Sequence, residues 1–195
     1  MLWAQSDEGR KLGIDSNRIL GGGDSAGGNM TAALSLQLLD AQQQEDDPPP
    51  EKMPQPLKAQ ILLYPEARLP FDTPAATENN SGYYLECNGI FSFADHYLPR
   101  LLNTPYPPAH RYVSPSEQNV ESLKDLPSAA VFTCGFDPLR DVGVEYASKL
   151  QKAGNEVVWR HYGNLTHGFL QMAPWSEDAM KATKEVAEVI KKLAH

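Results

Sequence analysis

The sequence predicts an α/β fold with a mainly parallel sheet and helices on both faces of that sheet. Strand-like and helix-like segments alternate four times, the strand-like segments are short apolar runs, and the helix-like segments carry apolar residues at helical spacing. Such alternation requires right-handed crossovers between parallel strands. A length of 195 residues and a hydrophobic content of 41% suit a single globular domain.

The regular elements follow from local patterns taken in chain order. Residues 2–12 have amphipathic spacing, which predicts a helix that Gly13 ends as a C-terminal cap. The helix that follows the first strand is so rich in alanine and leucine that we expect it to be buried on more than one side. Strands are predicted at 18–22, 59–64, 129–134 and 156–162, and the remaining helices at 26–43, 142–153 and 177–193.

Two segments interrupt the alternation. Residues 42–56 are polar and rich in proline, which predicts a surface loop. Residues 66–110 show a weak helical pattern at 89–102 and a proline-rich turn at 105–108, which predicts an irregular, partly helical excursion. Residues 1–195 are therefore expected to form one domain from which 66–110 departs.

The charge of the chain excludes several classes of partner. The formal net charge is −8 and the acidic residues are scattered, which argues against binding to nucleic acid or to an anionic membrane surface. No run of about 18 apolar residues occurs, so no stable membrane insertion is expected. The opening residues lack the apolar stretch of a signal peptide, and this pattern predicts a cytoplasmic protein.

The cysteines and histidines do not form a metal-binding pattern. Cys87 and Cys134 are far apart in sequence and predict two reduced, buried thiols. His96, His110 and His195 follow no ligand spacing. We therefore expect neither a metal ion nor another cofactor.

A dense glycine cluster, GGGDSAGGN at 21–29, lies between the first strand and its helix. Glycine is costly in regular elements, so the cluster needs a geometric reason. A GxSxG turn centred on Ser25 supplies one, because a sharp strand-to-helix turn needs small residues two before and two after the serine. The serine is then exposed at a helix N-terminus, where the N–H of Ala26 can donate to a developing oxyanion.

Two later strand ends carry the partners that such a serine requires. Asp137 follows the third strand and His167 follows the fourth. Parallel strands present their carboxyl ends at one edge of the sheet, so Ser25, Asp137 and His167 are expected to meet there. The order serine, aspartate, histidine is that of the α/β-hydrolases. His167 would accept the serine proton, Asp137 would orient the imidazole, and Ser25 would form an acyl-enzyme that water cleaves.

Other residues compete for roles at this site. Asp141 lies one helical turn beyond Asp137 but inside the predicted helix start, where it can complement the helix dipole, so Asp137 is favoured as the acid. Asp24 is expected to be a hydrogen-bond partner of the turn and His161 a structural or solvated histidine. Glu66 could lie near the site and is left without a role.

The glycines also fit a loose dinucleotide-binding pattern, Gly21-x-Gly23-x-x-Ala26, with Glu66 as the ribose partner. That interpretation is disfavoured because the spacing to the acid is about doubled and because Asp137 and His167 would have no role. Three aromatic residues could line an acyl pocket, although packing is the favoured interpretation for each: Tyr83, Trp159 and Trp175.

Several motifs together resemble the hormone-sensitive-lipase-like esterase family of the α/β-hydrolase fold. These are GDSAGGN at 23–29, DPLRD at 137–141, the helix pattern from Tyr146 to Gly154, and His167-Gly168-Phe169, with Glu78-Asn79 and Gly82-Tyr83 in support. The resemblance implies Ser25 as nucleophile, Asp137 as acid, His167 as base and the Ala26 N–H as an oxyanion donor. It also implies a small-molecule ester substrate with a short or medium acyl chain.

The chain departs from that family at one motif. Members carry a His-Gly-Gly-Gly sequence before the serine that supplies further oxyanion donors, and here the only His-Gly pair is His167-Gly168. Compared with members of that family, the chain is expected to lack the N-terminal half of the fold. The oxyanion donors of that half would then be missing, so the activity of the chain could be impaired. The first strand would then be an open edge that favours self-association. The alternatives are a non-catalytic small-molecule binder and an inactive fragment.

Overall fold

The computed structural model describes residues 2–43, 54–99 and 106–195. In chain order the elements are α1 (Leu2–Gln5), α2 (Asp7–Lys11), β1 (Leu20–Asp24), α3 (Ala26–Gln43), β2 (Ala59–Leu63), α4 (Pro74–Glu78), α5 (Cys87–Tyr97), β3 (Ser128–Phe136), α6 (Arg140–Lys152), β4 (Val157–Thr166), α7 (Phe169–Met172) and α8 (Glu177–Ala194).

Within the described residues, the four strands form one parallel sheet in the order β1-β2-β3-β4. Asp24 pairs with Leu63, and Leu63 pairs with Phe132, so neighbouring strands end close together. On its other side, β1 has no partner strand among the described residues. The predicted parallel sheet is confirmed, and β1 lies at its edge.

The core lies on both faces of the sheet because successive strand residues point to opposite sides. Leu62 and Val131 face α3 and α6 and pack with Leu36 and Leu150. Residues on the opposite side of the same two strands pack against α8, and these are Ile61, Leu63, Ala130 and Phe132 with Ala179, Ala182, Val186 and Val189. The prediction of helices on both faces is therefore confirmed.

Some predicted boundaries are wrong for local reasons. The helix at 2–12 is divided at Ser6, whose hydroxyl accepts a hydrogen bond from the Gly9 N–H and so begins α2. The first strand begins at Leu20 because 16–18 form a short 3₁₀ turn capped by Asp15. The helix α3 exposes Met30, so the expected burial on several sides does not extend to that residue.

The third and fourth strands extend beyond their predicted ends. β3 continues to Phe136 and β4 to Thr166, with a register shift between Cys134 and Phe136. A β carbon on Gly135 would lie 2.1 Å from the carbonyl oxygen of Gly163, so a glycine at 135 permits this close approach of the two strands. The extended pairing carries His167 towards the loop that begins after Phe136.

The segment at 66–110 contributes the helices α4 and α5. Residues from this segment pack against the start of α6 in a separate cluster of buried side chains, comprising Phe71, Cys87, Ile90, Leu139 and Val142. The predicted helix at 89–102 starts earlier, at Cys87, and ends at Tyr97, and residues 100–102 lie outside the described residues. Of the predicted loop at 42–56, residues 44–53 also lie outside them, as does residue 105 of the predicted turn.

Two further observations concern the cysteines and the predicted absence of membrane insertion. Cys87 and Cys134 are buried and are not joined to each other. In the three described ranges, none of the helices has the length and hydropathy needed to cross a lipid bilayer.

Candidate functional site

Ser25 lies at the turn between β1 and α3 with a φ angle of 55°. A positive φ is unfavourable for a residue with a β carbon, so the surrounding structure must hold this conformation. The Ser25 N–H donates to the Leu63 carbonyl at 2.9 Å, and the Ser25 carbonyl accepts from the Glu66 N–H at 3.3 Å. Both backbone polar groups of Ser25 are therefore hydrogen-bonded, one to the last residue of β2 and one to the segment that follows β2.

The glycines allow this turn to fold onto itself. A β carbon on Gly23 would lie 2.3 Å from the carbonyl of Gly27, and one on Gly28 would lie 2.9 Å from Pro65. A β carbon on Gly27 would meet only the Asp24 carboxylate, at 4.0 Å. The expected crowding therefore applies to the residue two before the serine, whereas the residue two after it has room for a side chain.

We expect Gly23→Ala to lower the free energy of unfolding by about 1–3 kcal/mol, because the added methyl group would force the turn apart. Gly27→Ala is the matched control, and it should change stability by less than about 1 kcal/mol. Urea unfolding followed by circular dichroism measures both variants. Equal stability of Gly23→Ala and Gly27→Ala would contradict the geometric account of the cluster.

The structure brings Ser25, His167 and Asp137 together. The Oγ of Ser25 lies 2.9 Å from Nε2 of His167, and Nδ1 of His167 lies 2.9 Å from Oδ2 of Asp137. Asp137 and His167 are both buried, with 0% and 5% of their surfaces exposed. The other carboxylate oxygen of Asp137 accepts a hydrogen bond from the Leu139 N–H at 2.8 Å, so neither oxygen is left without a partner.

The loop that carries Asp137 is fixed by side chains from neighbouring elements. The Asn79 side-chain amide donates to the carbonyls of Gly135 and Asp137, both at 3.4 Å. Arg140 donates to the Gly135 carbonyl and pairs with Glu78 at 2.8 Å. The segment between β2 and β3 thus holds the acid in place.

Asp141 does not face His167. One of its carboxylate oxygens accepts from the Ala75 N–H at 2.8 Å, and the other accepts from Arg140 at 2.8 Å. Asp141 therefore joins α4 to the start of α6. The geometry agrees with the choice of Asp137 over Asp141 as the partner of the histidine.

Tyr64 supports the imidazole from the end of β2. Its ring centroid lies 4.6 Å from that of His167, and it also contacts the Phe169 ring edge-on at 5.4 Å. Burial raises the pKa of the Tyr64 hydroxyl above its usual range. Tyr64 thus stays neutral and contributes packing to the site.

The remaining polar candidates occupy other places. Nδ1 of His161 lies 3.0 Å from Oγ1 of Thr133, which agrees with a structural role. The Asp24 side chain is exposed and forms no hydrogen bond to another described side chain or backbone group, so it does not act as the expected partner of the turn. Glu66 lies beside Ser25, in the wall of the cavity described next.

A cavity of about 190 Å³ is lined by Ala26, the residue after Ser25, and by Glu66, whose N–H donates to the Ser25 carbonyl. Its wall is largely apolar and is built from the start of α3, the segment after β2, and α5, with these lining residues: Ala26, Asn29, Met30, Glu66, Leu69, Phe93, Ala94, Tyr97 and Val113. The three aromatic residues considered for an acyl pocket lie elsewhere. Tyr83 stacks on Phe136, Trp159 donates to Thr133, and Trp175 is 84% exposed away from the cavity.

The aromatic residues of this cavity were not predicted. Phe93 and Tyr97 lie four residues apart on α5, so they share one face of that helix. The weak helical pattern of 89–102 contained this spacing, but nothing in the sequence indicated which element α5 would cover.

This arrangement can activate a hydroxyl group chemically. A histidine whose Nδ1–H is held by a carboxylate presents Nε2 as an acceptor for the serine proton. Ala26 is the first residue of α3, so its N–H has no partner within the helix and is available to a negative oxygen beside Ser25.

Proteins named as esterases are similar to this chain in sequence and in fold. The chain is 33% identical over 190 residues to the carboxylic ester hydrolase LipN of Mycobacterium tuberculosis, covering 97% of this chain and 47% of that protein. It is 32% identical over 171 residues to an arylesterase of Saccharolobus solfataricus, covering 87% and 50%. A thermostable esterase from Pseudomonas putida superimposes with a TM-score of 0.85 at 28% identity, covering 100% of this chain and 56% of that one.

The chain spans about half the length of the curated relatives that it matches. Residues 1–171 match the model of a protein family that is described as having the alpha/beta hydrolase fold. The match includes the serine turn, the Asp137 loop and His167, and it agrees with the resemblance that the motifs indicated. The chain therefore belongs to the hormone-sensitive-lipase-like esterase family of the α/β-hydrolase fold.

Proposed function

We propose that the protein is a serine carboxylic-ester hydrolase that acts through an acyl-enzyme. The observation that carries this proposal is the hydrogen-bonded chain from Ser25 through His167 to Asp137, with 2.9 Å at each step, beside an apolar cavity. The same side chains without the cavity would offer no place for a substrate.

The reaction follows from the roles of the three residues. The Oγ of Ser25 forms a bond to the ester carbon while its proton passes to Nε2 of His167, and Asp137 stabilises the charged imidazole. The oxygen of the resulting tetrahedral intermediate accepts a hydrogen bond from the Ala26 N–H. The carbon–oxygen bond to the alcohol then breaks, and the alcohol leaves with the proton from His167. Water attacks the acyl-enzyme by the same route and releases the acid and free Ser25.

The substrate class is a small carboxylic ester with a short or medium acyl chain. A cavity of about 190 Å³ suits a short chain, and its wall of leucine, valine, alanine and aromatic side chains favours apolar groups. The relatives named carboxylic ester hydrolase and arylesterase support this class.

Covalent labelling tests the proposal. A fluorophosphonate probe should react with the folded protein, and peptide mass mapping should locate the adduct on Ser25, because only an activated hydroxyl reacts quickly with such a probe. The protein should also release p-nitrophenol from p-nitrophenyl butyrate. A folded protein that is neither labelled nor active would contradict the proposal and favour a non-catalytic binder or an inactive fragment.

A further inference from the structure

The cavity beside Ser25 contains an acidic side chain that ester hydrolysis does not require. Glu66 lies in the cavity wall, three residues after the end of β2. Its backbone is fixed to the serine turn, because its N–H donates to the Ser25 carbonyl and its own carbonyl accepts from the Asn29 side chain at 2.7 Å. Glu66 is therefore held at a set place relative to the nucleophile.

The Glu66 carboxyl group has no partner in the part of the chain that the structure describes. In the described residues, no side chain or backbone group donates a hydrogen bond to it, and no cation pairs with it. Burial raises the pKa of Glu66 to about 7, and the nearby charge of His167 opposes this rise. The Glu66 side chain is partly buried. A partly buried carboxylate without a protein partner is less stable than one in water, so a cation supplied by a ligand would stabilise it.

Aromatic rings form another part of the same wall. Phe93 and Tyr97 project from α5 and are 67% and 55% exposed, which is unusual for aromatic side chains. A carboxylate together with aromatic faces is the combination that recognises alkylated ammonium groups, through charge attraction and cation–π contact. The net charge of −8 also favours the approach of a cation.

We propose that Glu66, Phe93 and Tyr97 form a subsite for an alkylated ammonium group, so that the preferred substrates are esters that carry such a group. This inference rests on the proposed function where it is tested by hydrolysis. Binding of a ligand in the cavity tests it without hydrolysis. Leu69 and Val113 would contact the carbon chain between the ester and the ammonium group.

Selectivity between isosteric esters tests the subsite. Acetylcholine and its neutral tert-butyl isostere differ only in a charge on the alcohol side of the ester. The ethyl esters of γ-trimethylammoniobutyrate and of its neutral tert-butyl isostere differ only in a charge on the acyl side. In at least one pair, kcat/KM should favour the cation roughly tenfold. Glu66→Gln should abolish that preference, and Glu8→Gln, which removes one exposed negative charge elsewhere, should retain it.

The pH dependence of the selectivity ratio gives an independent readout. His167 serves both members of a pair in the same way, so its contribution to the rate cancels in the ratio. Among the described residues that line the cavity, the other titratable side chain is that of Tyr97. Because Glu66 becomes a carboxylate as the pH rises through about 7, the preference for the cation should increase through that pH and be flat in Glu66→Gln.

Binding separates failure of this inference from failure of the proposed function. Calorimetry on Ser25→Ala should show that choline binds roughly tenfold more tightly than its tert-butyl isostere, and that adding Glu66→Gln removes the difference. Equal affinities and equal kcat/KM values for the charged and neutral compounds would overturn the subsite even if neutral esters are hydrolysed. Tight choline binding without any hydrolysis would uphold the subsite and contradict the esterase proposal.

Discussion

Ser25→Ala is expected to lower kcat for p-nitrophenyl butyrate by up to about 10⁶-fold and to abolish labelling by a fluorophosphonate. In the proposed mechanism the serine oxygen forms the new bond to the substrate. Among the described residues no other hydroxyl lies within hydrogen-bonding distance of the His167 imidazole, since the Thr166 hydroxyl donates to the backbone carbonyl of His167. The loss should appear in kcat, because the cavity that binds the ester keeps its shape. Stopped assays at high enzyme concentration measure the remaining rate.

Ser35→Ala is the matched control for this variant. Ser35 lies ten residues further along α3, is buried, and donates its hydroxyl hydrogen to the Thr31 carbonyl rather than to the site. Its replacement should change kcat by less than a few fold. Retention of labelling in Ser25→Ala would show that another residue is the nucleophile and would contradict the mechanism.

Asp137→Asn is expected to lower kcat by about 10⁴-fold while the protein stays folded. The amide oxygen of asparagine can keep the hydrogen bond from the Leu139 N–H, which places its NH₂ group towards Nδ1 of His167. The imidazole would then carry its proton on Nε2 and could no longer accept the proton of Ser25. Measurement of kcat together with urea unfolding separates this tautomer effect from loss of stability.

Asp141→Asn provides the comparison, because it removes a carboxylate one helical turn away. Its bonds go to Ala75 and Arg140, so the expected cost is in stability, with a loss of activity below about tenfold. If Asp141→Asn were the more damaging variant for kcat, the assignment of Asp137 as the partner of His167 would be wrong.

The fold was predictable because the central strands β2 and β3 are apolar runs and because recognisable turns follow the strands. Leu62 and Val131 lie in such runs, and their neighbours along each strand face the opposite side of the sheet. The strand ends were less predictable, since the extension of β4 to Thr166 depends on its pairing with Phe136 and on close contact between two glycines distant in sequence. Such a contact leaves no local pattern.

The proximity of Ser25, Asp137 and His167 could be predicted because parallel strands present their ends at one edge. The residues that support and surround them could not. Asn79 donates through its amide to two carbonyls, one at the end of β3 and one in the loop after it, and Phe93 reaches the cavity only because α5 folds over it. Both depend on the path of the chain between β2 and β3, which lacks strong periodicity.

The left-handed backbone of Ser25 sets a limit on how far this protein could be stabilised by substitution. Glycine is the residue best suited to that φ angle, and it would relax the turn. Glycine also has no hydroxyl group, so any gain in thermal resistance at this position would remove the atom proposed as the nucleophile. At residue 25 the proposed reactivity and an unstrained backbone therefore require different amino acids.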